Sequence, residues 1–296
     1  MTAPALHEDG EATLPAPDTL ARENFELVVR RLADDLAFGT DASLFVGSGL
    51  EYAGARPYEP GDPIRAIHWR LTARTGRAYI RQYEALKRIS VHIVVDTSAS
   101  MGVASTARSK HDLAVWMAAA LGLVAQRRLS PVAILGAGER EVRTTPSLSR
   151  TDLWAGLDPL RARSFSERTT LGERLDTLSA RAERRSLIFV LSDLHDPPAM
   201  DAIRRCSQRH ECLVVHLVDP IELTSWRGGF ARVRESETGR SHFFGPRRGA
   251  RVDADALRLE LLRCGADALT VRTDEAFIAP LRRFITGRAG VGRGRG

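Results

Sequence analysis

The chain has 296 residues and a formal net charge of +6 at pH 7, and 43% of its residues are hydrophobic while 27% are charged. This composition is typical of globular proteins and excludes a wholly disordered, collagen-like or coiled-coil chain. All but two of its 43 basic residues are arginine. Because abundant arginine, alanine and glycine are also typical of GC-rich coding sequences, the charge by itself does not indicate a nucleic-acid partner.

The N-terminal residues and the cysteines indicate a cellular compartment. The first twenty residues lack the basic and apolar regions of a signal peptide. Three cysteines, Cys206, Cys212 and Cys264, form no disulfide framework, which favours a reducing environment. The longest apolar runs are far shorter than the roughly 20 residues of a membrane-spanning helix. We therefore expect a soluble, cytoplasmic protein with no membrane span.

The first 88 residues predict a tail, a helix and an insert. Residues 1–20 are small, acidic and proline-containing, which predicts a disordered tail. Apolar residues from Phe25 to Phe38 recur at helical spacing, so an N-terminal helix is predicted within 21–45, with Gly39 as a stop. Residues 46–88 are rich in glycine, proline and aromatic residues, which indicates short strands and turns.

Residues 89–286 predict an α/β domain. Short apolar runs indicate five strands, at 89–95, 132–135, 187–191, 212–218 and 269–271. Helical patterns separate them, which predicts a mostly parallel central sheet with helices on both faces.

Two further features follow near the end of this region. Alternating segments around Glu237-Thr238-Gly239 predict a hairpin near 230–244. Asp274 and Glu275 suit the first turn of a last helix, whereas residues 287–296 form a Gly/Arg tail that is expected to be disordered.

The residues Asp96-Thr97-Ser98-Ala99-Ser100 directly follow the first strand of this domain. Ligands of open α/β sheets bind at the carboxyl ends of the strands. Asp96, Ser98 and Ser100 are spaced so that three oxygens turn toward one point, and hard oxygen ligands suit Mg²⁺ or another divalent ion such as Mn²⁺ or Ca²⁺. The alternative is a helix N-cap region, where serine and aspartate are also favoured.

Two later loops extend this candidate metal site. Asp193 follows the strand at 187–191, and Thr169 and Thr170 precede a helical segment near 171–183. The order of an Asp-x-Ser-x-Ser loop, a threonine loop and an aspartate loop resembles the metal-ion-dependent adhesion site of von Willebrand factor A-like domains. That resemblance implies that a divalent ion is held by Asp96, Ser98, Ser100, Thr169 and Asp193, with one position left for an acidic residue of a protein partner.

The insert carries a second resemblance. Its residues Glu51-Tyr52-x-Gly54-x-Arg56-x-Tyr58-x-Pro60-Gly61-Asp62, followed by Arg65-x-Ile67-His68-Trp69 and Arg81-x-Tyr83-Glu84, resemble the family catalogued as domain of unknown function fifty-eight. The chain differs from the family pattern at His68 and at Glu167-Arg168, where the family favours an acid and two glycines. The family's Thr-x-Leu pattern selects Thr169, with Thr170 as the alternative ligand.

The family resemblance implies a function. Members of the family that this chain resembles carry a von Willebrand factor A-like domain and are commonly found beside MoxR-type AAA+ ATPases. It implies a non-enzymatic, metal-dependent protein-binding adaptor that works with such an ATPase in the assembly or maturation of protein complexes. The alternatives are a metal-dependent phosphoesterase that uses Asp96 and Asp193, and a basic nucleic-acid-binding protein, although no nucleic-acid partner is expected.

Two smaller questions concern other polar clusters. Two interpretations are open for the arginines of the insert, which are Arg56, Arg65, Arg70 and Arg74. They surround a recognition patch of exposed aromatic residues, or the aromatic residues pack onto the sheet and Arg65 pairs with Asp62 or Glu59. Cys206, His210, Cys212 and His216 match no common zinc spacing, and packing is favoured over metal binding.

Overall fold

The computed structural model describes residues 11, 14–38, 51–84, 89–162, 166–223, 231–234, 241–244 and 253–291. Its helices are α1 (Arg22–Ala37), α2 (Trp69–Thr75), α3 (Lys110–Arg127), α4 (Arg150–Arg161), α5 (Leu171–Arg181), α6 (Pro197–Ser207), α7 (Pro220–Leu223), α8 (Ala254–Arg263) and α9 (Ile278–Val291). Its strands are β1 (Glu51–Pro57), β2 (Tyr79–Glu84), β3 (Val91–Val95), β4 (Val132–Gly136), β5 (Leu187–Ser192), β6 (Glu211–Val218), β7 (Ala231–Arg234), β8 (Ser241–Phe244) and β9 (Asp267–Arg272).

Five strands form a parallel sheet in the order β4-β3-β5-β6-β9. Every residue of β3, β4 and β5 is buried, because these strands are continuous apolar runs that are covered on both faces. Helices α1, α3, α4 and α9 pack on one face, and α5, α6 and α8 pack on the other. The prediction of a parallel α/β sheet flanked by helices is therefore confirmed.

Helix α3 forms the centre of one helical layer. Its residues from Lys110 to Gln126 are all buried, so it is apolar on nearly its whole circumference. A capping box fixes its start, since the Ser109 side chain accepts the N–H of Asp112 and the Asp112 carboxylate accepts the N–H of Ser109. This cap places Lys110 at the first helical position, beside the carboxyl ends of the strands.

The described part of residues 1–20 is packed against the domain, which corrects the prediction of a disordered tail there. Glu11 is 4% exposed, and its Oε2 accepts the N–H groups of Phe277 and Ile278 at 2.9 Å each. Further along, Trp116 donates its indole N–H to the carbonyl of Pro15 at 3.1 Å. Tertiary contacts hold this segment despite its small and acidic composition. Residues 1–10, 12 and 13 lie outside the described residues.

The last helix differs from its prediction at both ends. Helix α9 begins at Ile278 rather than near Asp274, because the Glu11 carboxylate binds the N–H groups at that start. It continues to Val291, so the predicted tail is helical from 287 to 291, while 292–296 lie outside the described residues. Phe277, Leu281 and Ile285 are buried at helical spacing and anchor it.

Helix α1 ends at Ala37, close to the predicted stop at Gly39, and residues 39–50 of the predicted helical and insert regions lie outside the described residues. The described insert contains the antiparallel pair β1-β2 and the unpredicted helix α2. Its ion pair joins Asp62 to Arg56 at 2.6 Å, not to Arg65. The predicted hairpin near 230–244 is confirmed by the antiparallel pairing of β7 with β8.

Among the described residues, no helix combines the length and the apolar character that crossing a membrane requires.

Candidate functional site

The loop after β3 brings together three of the five predicted site residues. Asp96 is 1% exposed, and its Oδ1 accepts the backbone N–H of Ser98 at 2.9 Å. The hydroxyl oxygens of Ser98 and Ser100 lie 3.0 Å apart in one hydrogen bond. Ser100 lies in a short 3-10 helix, Ala99–Gly102, that follows Ser98. A carboxylate and two hydroxyls therefore share one small volume at the edge of the sheet.

The loop after β5 lies beside it, because β5 pairs in parallel with β3 and both strands end at the same edge. Ser192 donates its hydroxyl to Oδ2 of Asp96 at 2.6 Å and accepts the N–H of Leu194 at 2.8 Å. Leu194 has a φ of 56°, a left-handed conformation that turns the chain sharply after Asp193. Asp193 itself is 3% exposed. The two predicted carboxylates thus occupy neighbouring loops.

Two nitrogen-bearing side chains, the Lys110 ammonium and the His195 imidazole, contact Asp193. The Nζ of Lys110 lies 2.7 Å from its Oδ2, and Nδ1 of His195 lies 3.0 Å from the same oxygen. Lys110 also contacts Oε1 of Glu222, at the start of the segment after β6, at 2.5 Å. The lysine side chain is completely buried. One ammonium group therefore joins two carboxylates that are far apart in the sequence.

The two aspartates consequently have opposite electrostatic environments. Burial, and then the charge of Asp193, raises the pKa of Asp96 to about 6. Burial would also raise the pKa of Asp193, but the hydrogen bond from His195 and the charge of Lys110 together hold it well below its usual range. The Lys110 ammonium compensates the charge of Asp193, whereas the partners of Asp96 are hydroxyl and N–H groups.

The threonine loop contacts the Asp96 loop through the backbone and the side chain of Glu167. The N–H of Ala99 donates to the carbonyl of Glu167 at 2.9 Å, and Thr97 donates its hydroxyl to the Glu167 carboxylate at 3.1 Å. Thr170 uses its hydroxyl on the carbonyl of Gly138 at 2.9 Å. Thr169 accepts a long hydrogen bond from the N–H of Leu171 at 3.5 Å.

The hydroxyl groups of the two threonines have different hydrogen-bond roles. The Thr170 hydroxyl donates its hydrogen beyond the end of β4, whereas the Thr169 oxygen accepts a hydrogen bond, so these bonds do not select one of the two oxygens as a metal ligand. Among the described residues, no hydrogen bond joins Thr169 to Asp96, Ser98, Ser100 or Asp193. The structure therefore assembles the Asp96 and Asp193 loops and places the threonine loop against them.

The donor atoms around Asp96 fit a divalent cation. They are a carboxylate and hydroxyl oxygens, which are hard ligands. The described residues provide no cation in contact with the buried Asp96 carboxylate, so a positive charge bound there would offset its desolvation. Asp193 fits less simply, because its Oδ2 already contacts Lys110 and His195.

A second set of metal-ligating atoms lies next to this site. One ligand atom each from Asp193, His195 and Glu222 fall within 4.8 Å of one another. The Lys110 ammonium contacts both carboxylates of this set. A metal ion at the same place would have to displace a buried ammonium, so lysine already supplies the positive charge there.

The sequence motifs of this site do not include Lys110, Ser192 or Glu222. A signal for Lys110 was present, since the chain has only two lysines and one of them begins the helix after the Asp96 loop. Cys206, His210, Cys212 and His216 are all buried. The candidate metal cluster found among the described residues contains none of those four.

Comparison with known sequences finds one matching family model and several uncharacterized relatives. The family model described as "Protein of unknown function DUF58" matches residues 54–258. An uncharacterized protein of Mycobacterium bovis, Mb1516, is 30% identical over 282 residues, which is 90% of this chain and 89% of that protein. An uncharacterized protein of Mycobacterium tuberculosis, Rv1480, gives the same values.

Comparison with solved structures finds more distant similarity. The RO (RSR) protein of Deinococcus radiodurans has a TM-score of 0.34 and 17% identity, covering 67% of this chain and 34% of its own. The PilB minor pilin of Streptococcus sanguinis has a TM-score of 0.39 and 8% identity, covering 73% of this chain and 64% of its own.

Proposed function

Because the chain belongs to the DUF58 family, whose description assigns no activity, we propose a function from the site itself. The protein is a divalent-metal-dependent protein-binding module of the von Willebrand factor A-like type. Asp96, Ser98 and Ser100 hold the ion, with Thr169 and the Asp193 loop beside it. A carboxylate of a protein partner completes the set of metal ligands.

One observation carries this proposal. Asp96 is a buried carboxylate with hydroxyl and N–H partners, and the described residues offer it no cation. Burying an unpaired carboxylate is costly, and a bound Mg²⁺ or Mn²⁺ offsets that cost. Since the neighbouring Asp193 is already neutralised by Lys110, a bound divalent ion keeps excess positive charge, which favours an additional anionic ligand.

The partner is proposed from the resemblance rather than from these contacts. The expected partner is a MoxR-type AAA+ ATPase in the cytoplasm. The acidic residue that completes the metal ligands comes either from this ATPase or from the protein on which the ATPase acts. The chain acts as an adaptor in assembly or maturation and not as an enzyme.

Calorimetric titration with Mg²⁺ and Mn²⁺ tests the metal site. The wild-type protein is expected to bind one ion, and Asp96→Asn is expected to lose measurable binding because it removes the uncompensated negative charge. Asp176→Asn is a matched control, since Asp176 is a half-exposed carboxylate that pairs with Arg205 on the protein surface. Equal binding heats for wild type and Asp96→Asn would exclude the proposed site.

A further inference from the structure

The insert carries a run of unpaired positive charge. Between residues 64 and 81 there are five arginines and no acidic residue, and all five arginines are exposed. They are Arg65, Arg70, Arg74, Arg77 and Arg81. Within the described part of the chain none of their guanidinium groups forms an ion pair, in contrast to Arg56, which pairs with Asp62 at 2.6 Å.

Large apolar side chains are exposed in the same unit. Ile64 is 68% exposed, Trp69 is 62% exposed and Tyr58 is 37% exposed. Of the two interpretations left open for the aromatic residues of the insert, packing onto the sheet therefore does not hold for Trp69. Burying exposed apolar side chains of this size against a partner is favourable, so these residues are available as contacts for a partner.

The unit that presents them is held by its own hydrogen bonds. Tyr58 donates its N–H to the carbonyl of Ala78 at 2.9 Å, and His68 donates its N–H to the carbonyl of Tyr79 at 2.7 Å. The Thr72 hydroxyl accepts the N–H of Tyr79 at 3.0 Å. Arg70 and Arg74 lie one turn apart on α2 and so share a face. These bonds place Tyr58, α2 and Arg77 in one small folded unit.

We propose that this surface, formed by Tyr58, Ile64, Arg65, Trp69, Arg70, Arg74 and Arg77, docks an acidic segment of another protein. Unpaired guanidinium groups complement carboxylates and bind them in pairs of hydrogen bonds. Tryptophan, tyrosine and arginine are the residue types enriched at the centres of protein interfaces. The exposed aliphatic side chain of Ile64 favours a protein over a nucleic acid, because it cannot stack on a base.

The docking surface is independent of the metal site, so it is tested with a chelator present. The probe is a fluorescein-labelled synthetic peptide rich in glutamate with interspersed leucines, and binding is followed by fluorescence anisotropy. The double variant R70E/R74E is expected to weaken binding about tenfold or more, as expected for the reversal of interface charges. Trp69→Ser is expected to weaken it without changing the charge.

The control variant is R181E/R184E, which reverses two exposed arginines that have no ion pair within the described chain. It makes the same change in net charge and is expected to bind the peptide like the wild type. A peptide with glutamine in place of glutamate is expected to bind poorly. Circular dichroism checks that each variant is folded.

Three outcomes would overturn the proposal. Equal weakening by both double variants would show attraction to net charge alone. Unchanged binding by R70E/R74E would show that α2 does not contact the peptide. Tighter binding of an oligothymidylate of similar length than of the acidic peptide would assign the surface to single-stranded nucleic acid instead.

Discussion

Lys110 is the residue on which the charge balance of the site depends. Its ammonium is fully buried and contacts Asp193 at 2.7 Å and Glu222 at 2.5 Å. The neighbouring charges of these two carboxylates raise the lysine pKa despite its burial. A lysine at this position is an internal cation, so Asp193 needs no metal for its own neutralisation, whereas no cation among the described residues contacts Asp96.

Removing that cation is expected to destabilise the protein strongly. Lys110→Met removes the ammonium that the buried Asp193 and the partly buried Glu222 share, and breaking a buried ion pair in this way lowers the free energy of unfolding by about 3–5 kcal/mol. Urea denaturation in the presence of a chelator measures the change. The control Arg127→Met removes a partly exposed pair with Asp34, for which about 0–1 kcal/mol is expected.

A double-mutant cycle of the same unfolding free energies measures the interaction between Lys110 and Asp193 directly. If Lys110 and Asp193 stabilise each other, Lys110→Met combined with Asp193→Asn loses less free energy than the two single changes added together. Additive losses would contradict the pairing and would leave the burial of Lys110 unexplained.

At the level of elements, the start of α9 depends on a residue far away in the sequence. Glu11 accepts the N–H groups of Phe277 and Ile278 at 2.9 Å each, which satisfies backbone donors at the helix start. A fully buried arginine supports the same segment, since Arg108 donates to the carbonyl of Glu11 at 2.6 Å and to that of Thr273. The N-terminal segment is therefore part of the domain.

Removing the carboxylate of Glu11 tests this role. Glu11→Ala is expected to lower the free energy of unfolding by about 1–2 kcal/mol, the range measured for the loss of helix caps and of buried hydrogen bonds. Thermal denaturation followed by circular dichroism measures it. Glu23→Ala changes an exposed glutamate at the start of α1 and serves as the control. Equal melting temperatures for both variants would contradict the role of Glu11 as a cap.

At the scale of the whole molecule, the polar residues gather at one edge of the sheet. Asp96 follows β3, Asp193 follows β5, Asp219 follows β6 and Thr273 follows β9. Asp219 is fully buried, accepts the N–H of Ser105 at 2.8 Å and accepts the hydroxyl of Thr273 at 3.3 Å. One continuous polar layer thus covers the carboxyl ends of four strands.

The stability of the whole protein is expected to fall in mild acid because of His92. Burial, and secondarily His210, lowers the pKa of His92 from 6.5 to about 4. Between these values the unfolded chain takes up a proton that the folded chain does not, so stability is lost as the pH falls. From pH 6.5 to 4.5 this contribution is about 2 kcal/mol.

His92→Leu is expected to remove that part of the pH dependence. Urea denaturation of both proteins at a series of pH values gives the free energy of unfolding. The wild-type curve should fall more steeply than the variant curve below pH 6.5. Parallel curves would show that His92 is protonated to the same extent in the folded and unfolded chains.

The sequence predicts the parts of the fold that depend on local patterns. The strands β3, β5 and β6 are predominantly apolar runs, and the Asp96 loop is recognised from its spacing directly after a strand. In contrast, the contacts of Glu11 with α9 and of Lys110 with Asp193 join residues that are distant in the chain. No periodicity carries such information, because these contacts exist only once the helices are packed on the sheet.

The left-handed backbone of Leu194 has a consequence for recognition. A leucine at a φ of 56° is less stable than one in the right-handed region by about 1–2 kcal/mol. The surrounding fold sustains this strain, with the N–H of Leu194 bound to the Ser192 hydroxyl. The loop is therefore shaped before any ligand arrives, and in the proposed metal site we expect it to act as a rigid template that selects an ion or carboxylate by fit.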